Sequence, residues 1–300
     1  MSRLTIAIPT FRRPEDLKRA VGGVLEQVSE LAAGPTAEAS GPRTDAEAGT
    51  EGDAAGATDA KGGAGEDVSD IEVLVIDNDA QGSGREAALA AAADAGVPVR
   101  FPADAPVESG GMSVRYVVEE RPGVAAVRNR ALDETTERDL LIFIDDDEDP
   151  EPGWLAALVG LWASTGCQAV AGPVIPVYEI EPEEWVRQGE FFVRRTWPTG
   201  TVRPVAASNC LLLDLGFVRR AGLRFDEAFG ATGGEDTLFT RRLSAAGGVI
   251  RWCDEARVRD HVPASRLTRP WILRRQRSHA ATSVRVELAL AGGGVQPAIR

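Results

Sequence analysis

The chain has 300 residues with a formal net charge of −13, a length that suits one large α/β domain or two small ones and supplies enough core to need no covalent staples. Three widely spaced cysteines, Cys167, Cys210 and Cys253, form neither a disulfide framework nor a metal-thiolate pattern and suggest a reducing compartment. The acidic balance argues against nucleic acid, and neither a signal segment nor a run near the roughly 20 apolar residues of a membrane span is visible, so a soluble cytosolic protein is expected.

Residues 4–8 (LTIAI) read as a buried first strand, ended by the turn Pro9-Thr10. Leu17, Ala20, Val21, Val24, Leu25 and Val28 then recur at helical spacing, with Pro14 suited to the first turn. From 31 to 68 the pattern vanishes: eight acids face two bases, and 19 of 38 residues are Ala or Gly. Such a stretch buries too little apolar surface to offset its ordering entropy, and it is expected to be a disordered insertion in a surface connection.

Order resumes at residues 71–76 (IEVLVI), a second strand that delivers Asp77, Asn78 and Asp79 at its carboxyl end. An Ala-rich helix over about 84–95, a second loose stretch over 97–111 and a third strand over 114–118 follow. Gly123 opens a helix carrying Arg128 and Asn129. Residues 140–144 (LLIFI) form the uninterrupted apolar run of a parallel strand covered on both faces, and Pro150, Pro152 and Gly153 forbid its continuation. Trp154, Leu155, Leu158, Val159 and Trp162 make the apolar stripe of the next helix.

Strand-then-helix units in series imply a mostly parallel sheet with right-handed crossovers. Residues 169–213 are more irregular and suit a substrate wall; a helix over about 236–246, a strand over 249–253 and a basic helical region over 269–290 complete the chain. Residues 266–277 hold five arginines and no acid, with Trp271, Ile272 and Leu273 among them. That pattern fits an anionic membrane surface, or equally a core-packing helix with a solvated basic face.

The chemistry concentrates at the carboxyl end of 140–144, where open α/β sheets bind ligands. Asp145, Asp146, Asp147, Glu148 and Asp149 gather there with no cation among them, so a hard ion, Mg²⁺ or Mn²⁺, bound through one or two carboxylates plus phosphate oxygens is the natural partner. A solvated acidic loop is the alternative. Asp77 is expected beside this cluster if the two strands are neighbours. Neither G-x-G-x-x-G nor G-x-x-x-x-G-K occurs, which leaves any phosphate to metal and arginine.

The stretches TIAIPTFRRPEDL, VLVIDND, RPGVAAVRNRAL, LIFIDDDEDPEPGWL and FDEAFGATGGEDTLFTRRL, in this order, resemble family-2 glycosyltransferases of the GT-A fold. FFVRRTWPTG and RVRDHVPASRLTRPWILRR narrow the resemblance to bacterial exopolysaccharide glucosyltransferases of the succinoglycan type. The resemblance implies a Rossmann-type, mixed but mostly parallel sheet flanked by helices, with residues 1–150 as the nucleotide-sugar-binding half of one domain and 151–300 as the acceptor-binding half. It implies that Thr10, Phe11 and Arg13 line the uridine pocket, that Asp77 contacts uracil or ribose, and that Arg128 faces the nucleotide. Asp145 and Asp147 match the outer members of a D-x-D motif, Asp145 near the ribose and Asp147 on the metal, with Asp146 between them. Glu235-Asp236 matches an E-D motif whose aspartate is the general base of an inverting transfer, Glu235 being a cap or an acceptor-sugar ligand. His261 is a further candidate for metal or diphosphate.

The expected reaction is transfer of a hexose, glucose from UDP-glucose, to a hydroxyl of a lipid-linked saccharide acceptor in exopolysaccharide synthesis, on the cytoplasmic face of the membrane. Two readings from other classes are a metal-dependent phosphohydrolase using Asp145 and Asp147, disfavoured because such sites follow a first strand, and a non-catalytic nucleotide-sugar-binding module.

Overall fold

The computed structural model describes residues 2–34, 68–100, 111–230 and 233–292. The first strand, β1 (Ser2–Thr10), leads into α1 (Pro14–Ala33), which starts on Pro14 with Glu15 and Asp16 in its first turn, where the helix dipole favours acids. Leu17, Ala20, Val21, Val24, Leu25 and Val28 are all buried, as their spacing requires. The helix runs on through residues 31–33, and β2 (Val68–Asp77) begins at 68, so both ends of the expected insertion are ordered elements. Apolar side chains explain both: Leu31 and Val68 pack into the core. The remainder of that insertion lies outside the described residues.

After β2 come α2 (Arg85–Asp94), a two-residue strand β3 (Val99–Arg100), β4 (Met112–Val118) and α3 (Val124–Glu134). The stretch expected to be loose over 97–111 thus contributes an edge strand through Val99 and Arg100, paired to Val114 and Arg115. Residues 101–110 lie outside the described set. Next, β5 (Leu140–Ile144) has all five side chains fully buried, and β6 (Glu148–Pro150) leads to α4 (Trp154–Thr165).

The second half supplies β7 (Ala169–Ala171), β8 (Val174–Tyr178), α5 (Glu184–Gln188), β9 (Val202–Arg203), β10 (Cys210–Asp214) and α6 (Leu215–Arg220). It closes with α7 (Glu235–Ala245), β11 (Ile250–Trp252), β12 (Val258–Val262) and α8 (Arg269–Leu290).

Among the described residues the strands form a nine-stranded sheet in the order β3-β4-β2-β1-β5-β10-β7-β11-β9 and a three-stranded sheet β6-β12-β8. In the large sheet, β10 runs antiparallel to β5 and β7, and β9 antiparallel to β11; the other pairings are parallel. The fold is therefore mixed and mostly parallel, with core layers on both faces of the sheet. β1 pairs with β2 from Ser2↔Val68 to Thr10↔Asp77 and with β5 on its other side. The strand ends carrying Asp77 and Asp145 are accordingly not neighbours: β1 and its Thr10 stand between them.

Candidate active site

The carboxyl ends of β1 and β5 open into a cleft of about 880 Å³. Thr10, Phe11, Arg13, Arg128 and Asp145 to Glu148 all line it, so the residues expected around the nucleotide, Asp77 excepted, share one wall system. Thr10, almost fully buried, donates its hydroxyl to Asp146 Oδ2 at 2.7 Å. Arg13 reaches the same carboxylate at 3.2 Å and Asp147 Oδ2 at 2.9 Å. Burial pushes the Asp146 carboxyl up to about 6, against the opposing pull of Thr10 and Arg13. Asp146, the middle acid of the three, is thus the one that ties the β5 loop to β1.

Asp145 and Asp147 are held differently. Asp147 Oδ2 also receives Arg266 at 3.2 Å, while Asp145 Oδ1 lies 3.6 Å from Arg128 and keeps about a third of its side chain exposed. Burial raises the Asp145 carboxyl, with Arg128 pulling it down and Asp147 pushing it further up. Among the described residues no three His, Cys, Asp or Glu side chains group tightly enough to cage a metal. The donor set fits a different design: one or two cleft-facing carboxylates, with phosphate oxygens completing the shell of a hard cation. Asp145 and Asp147 are the residues that would hold it.

Glu148 was not singled out by its sequence context, which reads as loop. It is fully buried, its backbone N–H and carboxylate pinning the turn: the N–H donates to Asp145 O, and its side chain accepts from Asp145 N–H and from the Asn209 amide. Burial, with Asp145 beside it, pushes its carboxyl well above the ordinary value. These bonds let Glu148 shape the loop from within. Asn209, at the edge of β10, is visible only once the antiparallel strand is laid beside β5.

Asp77 turns inward. Its two oxygens accept from Asp79 N–H at 2.9 Å, Gly84 N–H at 2.7 Å and the Tyr116 hydroxyl at 2.7 Å, and it has no exposed surface. Asn78, not Asp77, lines the cleft. Its amide donates to Glu119 O and Arg121 O and accepts from Gly123 N–H, which fixes the entry to α3. Gly123 itself has φ +110°, and a Cβ there would lie 3.3 Å from the Gly230 backbone, so a side chain would force apart the loops before α3 and α7.

Arg128, just over one turn into α3, is buried and ion-paired with both Glu235 and Asp145. Burial opposes its charge, but Asp145, Glu235 and Asp236 outweigh that and raise its pKa. Burial likewise raises the Glu235 carboxyl, which Arg128 pulls back down. Glu235 is therefore engaged by Arg128, leaving Asp236, partly exposed in the first turn of α7, as the acid of that pair with no arginine in ion-pair contact among the described residues. The Asp236 Oδ1 accepts from the Thr237 N–H and hydroxyl. Its charge acts on Arg128 and Asp145, which couples the start of α7 to the β5 loop.

His261, on β12, lies against Asp149 at 2.5 Å, while its backbone N–H donates to Asp147 O at 3.3 Å. Its side chain lines a second, smaller cavity of about 600 Å³ that shares Arg13, Asp147 and Arg266 with the main cleft. Asp149 also pairs with Arg19 of α1.

A mixed sheet of this order, with an acid cluster at the end of a central parallel strand and a second acidic pair opening a helix beside it, defines a GT-A glycosyltransferase fold. The structure is similar to that of S. aureus TarS 1-349 in complex with UDP-GlcNAc (TM-score 0.55, 12% identity, 87% of this chain and 58% of that one) and to that of GalNAc-T7 with UDP, GalNAc and Mn²⁺ (TM-score 0.55, 14% identity, 87% and 44%). Residues 64–212 match Glycosyl transferase family 2, and over 212 residues the chain is 34% identical to the succinoglycan biosynthesis protein ExoM of Rhizobium meliloti (strain 1021), covering 69% of this chain and 62% of that protein. The chain thus carries a glycosyl transferase family 2 domain over residues 64–212. It spans under two thirds of the length of that curated relative.

Proposed function

We propose that the protein is an inverting, divalent-metal-dependent glycosyltransferase that moves a hexose, glucose from UDP-glucose, to a hydroxyl of a lipid-linked saccharide in exopolysaccharide synthesis. The observation that carries this reading is that Asp145 and Asp147 line one cleft together with Arg128, whose ion pair with Glu235 joins the Glu235-Asp236 pair at the start of α7 to Asp145. The similarity to a succinoglycan biosynthesis protein supports the product class, and the UDP-bound neighbours support the donor class.

In this reading the donor's uridine lies between Thr10, Phe11 and Asn78, with Asp145 toward the ribose and Asp147 toward the diphosphate. Mg²⁺ or Mn²⁺, when bound, supplies charge neutralisation for the departing diphosphate. Asp236 accepts the proton of the acceptor hydroxyl as that oxygen bonds to the anomeric carbon; the bond from that carbon to the diphosphate breaks and its electron pair leaves with UDP. The first-turn position of Asp236 favours its ionised form through the helix dipole. Glu235 serves this step indirectly, by fixing Arg128 and hence Asp145.

The basic face of α8 would bring the enzyme to the lipid-linked acceptor. Arg274 and Arg277 are exposed beside Leu273, Val284 and Leu288, while Ile272 and Val286 anchor the helix to the protein. No helix among the described residues is long and apolar enough to cross a membrane, so the contact would be peripheral.

A thermal-shift screen of UDP-, GDP- and dTDP-sugars with and without Mn²⁺ tests the donor. Stabilisation by UDP-glucose that requires the metal is expected, and stabilisation by a GDP-sugar alone overturns the assignment.

A further inference from the structure

β10 runs antiparallel to β5 with Cys210 opposite Ile144, so the residue before β10, Asn209, stands opposite the first residue after β5, Asp145. Both line the cleft, and so does Arg194, from the irregular segment between α5 and β9. Arg194 Nη1 donates to Asn209 Oδ1 at 3.0 Å. The Asn209 amide nitrogen donates in turn to Glu148 Oε1, and Glu148 Oε2 accepts the Asp145 N–H at 3.2 Å. Asn209 keeps 7% of its surface and Glu148 1%, while the Arg194 side chain is over a third exposed. A hydrogen-bond chain thus runs from a solvent-reaching arginine of the second half of the molecule, through two buried side chains, to the backbone of Asp145.

The chemistry of its members gives this chain one direction. A guanidinium only donates, so the Asn209 oxygen faces Arg194, and the amide nitrogen is thereby turned toward Glu148, a group that accepts. Flipped, the amide would set nitrogen against guanidinium and oxygen against carboxyl, and both bonds would be lost. Asp260, 3.9 Å from Arg194 Nη2, also engages the guanidinium, and it lies opposite Glu148 in the three-stranded sheet. The orientation of one buried amide is therefore set from the second half of the chain. The Asp145 carboxylate meets Arg128 of α3 at 3.6 Å, whereas its backbone is held by Glu148 and, through it, by Asn209.

We propose that Asn209 is a positioning residue of the transfer: with its amide oriented by Arg194, it holds Glu148 so that the backbone of Asp145, and with it the carboxylate, is fixed for the donor. Asn209 acts through Glu148 and needs no contact of its own with substrate or metal. The importance of Asp145 to the donor rests on the glycosyl-transfer reading; the hold on its backbone does not.

Hydrogen exchange at the amides of residues 145–148 reads the hold, and titration calorimetry with UDP and Mn²⁺ reads its consequence, both on the full chain. Asn209→Leu removes the middle link, and Arg194→Met frees the amide to turn. Each is expected to speed exchange at 145–148 and to weaken UDP binding roughly ten- to hundredfold, the worth of a hydrogen bond to a charged group. The amides of β5 are expected to stay protected, which separates a local release from a loss of global stability. Two further variants keep the bonds with different atoms. Arg194→Lys retains a donor. In Asn209→Asp combined with Glu148→Gln, the new carboxylate accepts from Arg194 and from the new amide, whose oxygen accepts the Asp145 N–H. Both are expected to exchange and bind as wild type does. Unaltered exchange in Asn209→Leu or Arg194→Met, acceleration equal throughout β5, or a double variant no better than Asn209→Leu overturns the proposal. Wild-type affinity for UDP in a variant whose 145–148 amides exchange fast overturns it as well. If wild type binds no UDP with Mn²⁺, the donor reading fails, while the exchange pattern still upholds or overturns the hold of Asn209 on Asp145.

Discussion

Arg128 and Glu235 meet in the interior, each side chain keeping only 6% of its surface, and their contact joins the middle of α3 to the first residue of α7. Removing one member strands the other's charge away from water. Arg128→Met is expected to lower the free energy of unfolding by about 3–5 kcal/mol, measured by urea denaturation at pH 7. Adding Glu235→Leu should restore part of that loss, because the orphaned carboxylate goes with it. A midpoint unchanged in the single variant would contradict the pairing.

Asp236→Asn removes the proposed base and leaves the shape of the first turn of α7. The variant is expected to fold, to bind UDP with Mn²⁺ as the parent does, and to lose transfer by about 10²- to 10⁴-fold, the range for general-base catalysis. Full turnover in this variant would move the base elsewhere.

Cys210 and Cys253 are buried thiols whose pKa burial pushes up to about 12 and about 11, and burial raises Cys167 as well. Native protein is therefore expected to resist a disulfide-exchange reagent at pH 8 and to yield its three thiols only on unfolding. The linkage sign follows: below the unfolded thiol value, near 9, both states hold the protons and stability is unaffected. Above it the unfolded chain releases protons that the folded one keeps, so stability falls from about pH 9 upward. A denaturation midpoint that rises between pH 9 and 11 would contradict this.

Gly234 precedes α7 with φ +93°, and a Cβ there would come within 2.2 Å of Thr282 Cγ2 on α8. Gly234→Ala is expected to cost about 1–3 kcal/mol in backbone strain alone. Because the displaced neighbour is α8, limited proteolysis should cut within residues 269–290 earlier than in the parent.

The membrane contact is checked by co-sedimentation with vesicles. Binding to phosphatidylserine-rich vesicles at low salt is expected, with loss at high salt and weakening in the Arg274→Gln/Arg277→Gln variant. Equal binding to neutral vesicles would remove the electrostatic argument.

Much of the scaffold was legible because it is written in local periodicity. The stripe from Leu17 to Val28, the run from Leu140 to Ile144 and the bounds of α8 at Arg269 and Leu290 each follow from their own residues. What the sequence left open depended on non-local pairing. Asp77 ends a strand as expected, but its direction is set by Tyr116 and Gly84, on elements that carry no sequence signal for that contact. Glu148 reads as one more loop acid until β10 brings Asn209 against it. Arg194, Arg266 and Arg275 are 81 residues apart at their extremes and line one cleft only in the folded chain, where Trp271 packs on Phe192 and Asp260 lies near both Arg194 and Arg266. The acids of 145–147, by contrast, sit together in sequence, and their separate partners, Arg128, Thr10 and Arg13, emerge from the sheet order.

The register Ser2↔Val68 at one end of β1 and Thr10↔Asp77 at the other puts the departure of the chain after Gly34 and its return at 68 on the rim opposite the cleft. Nine residues of strand separate the two rims, about 30 Å. The exposed end of α1, at Ala32 and Ala33, is thus a natural handle: a fluorophore or a surface-attachment tag introduced there would leave the substrate-facing rim free, so the enzyme could be tethered and assayed in one orientation.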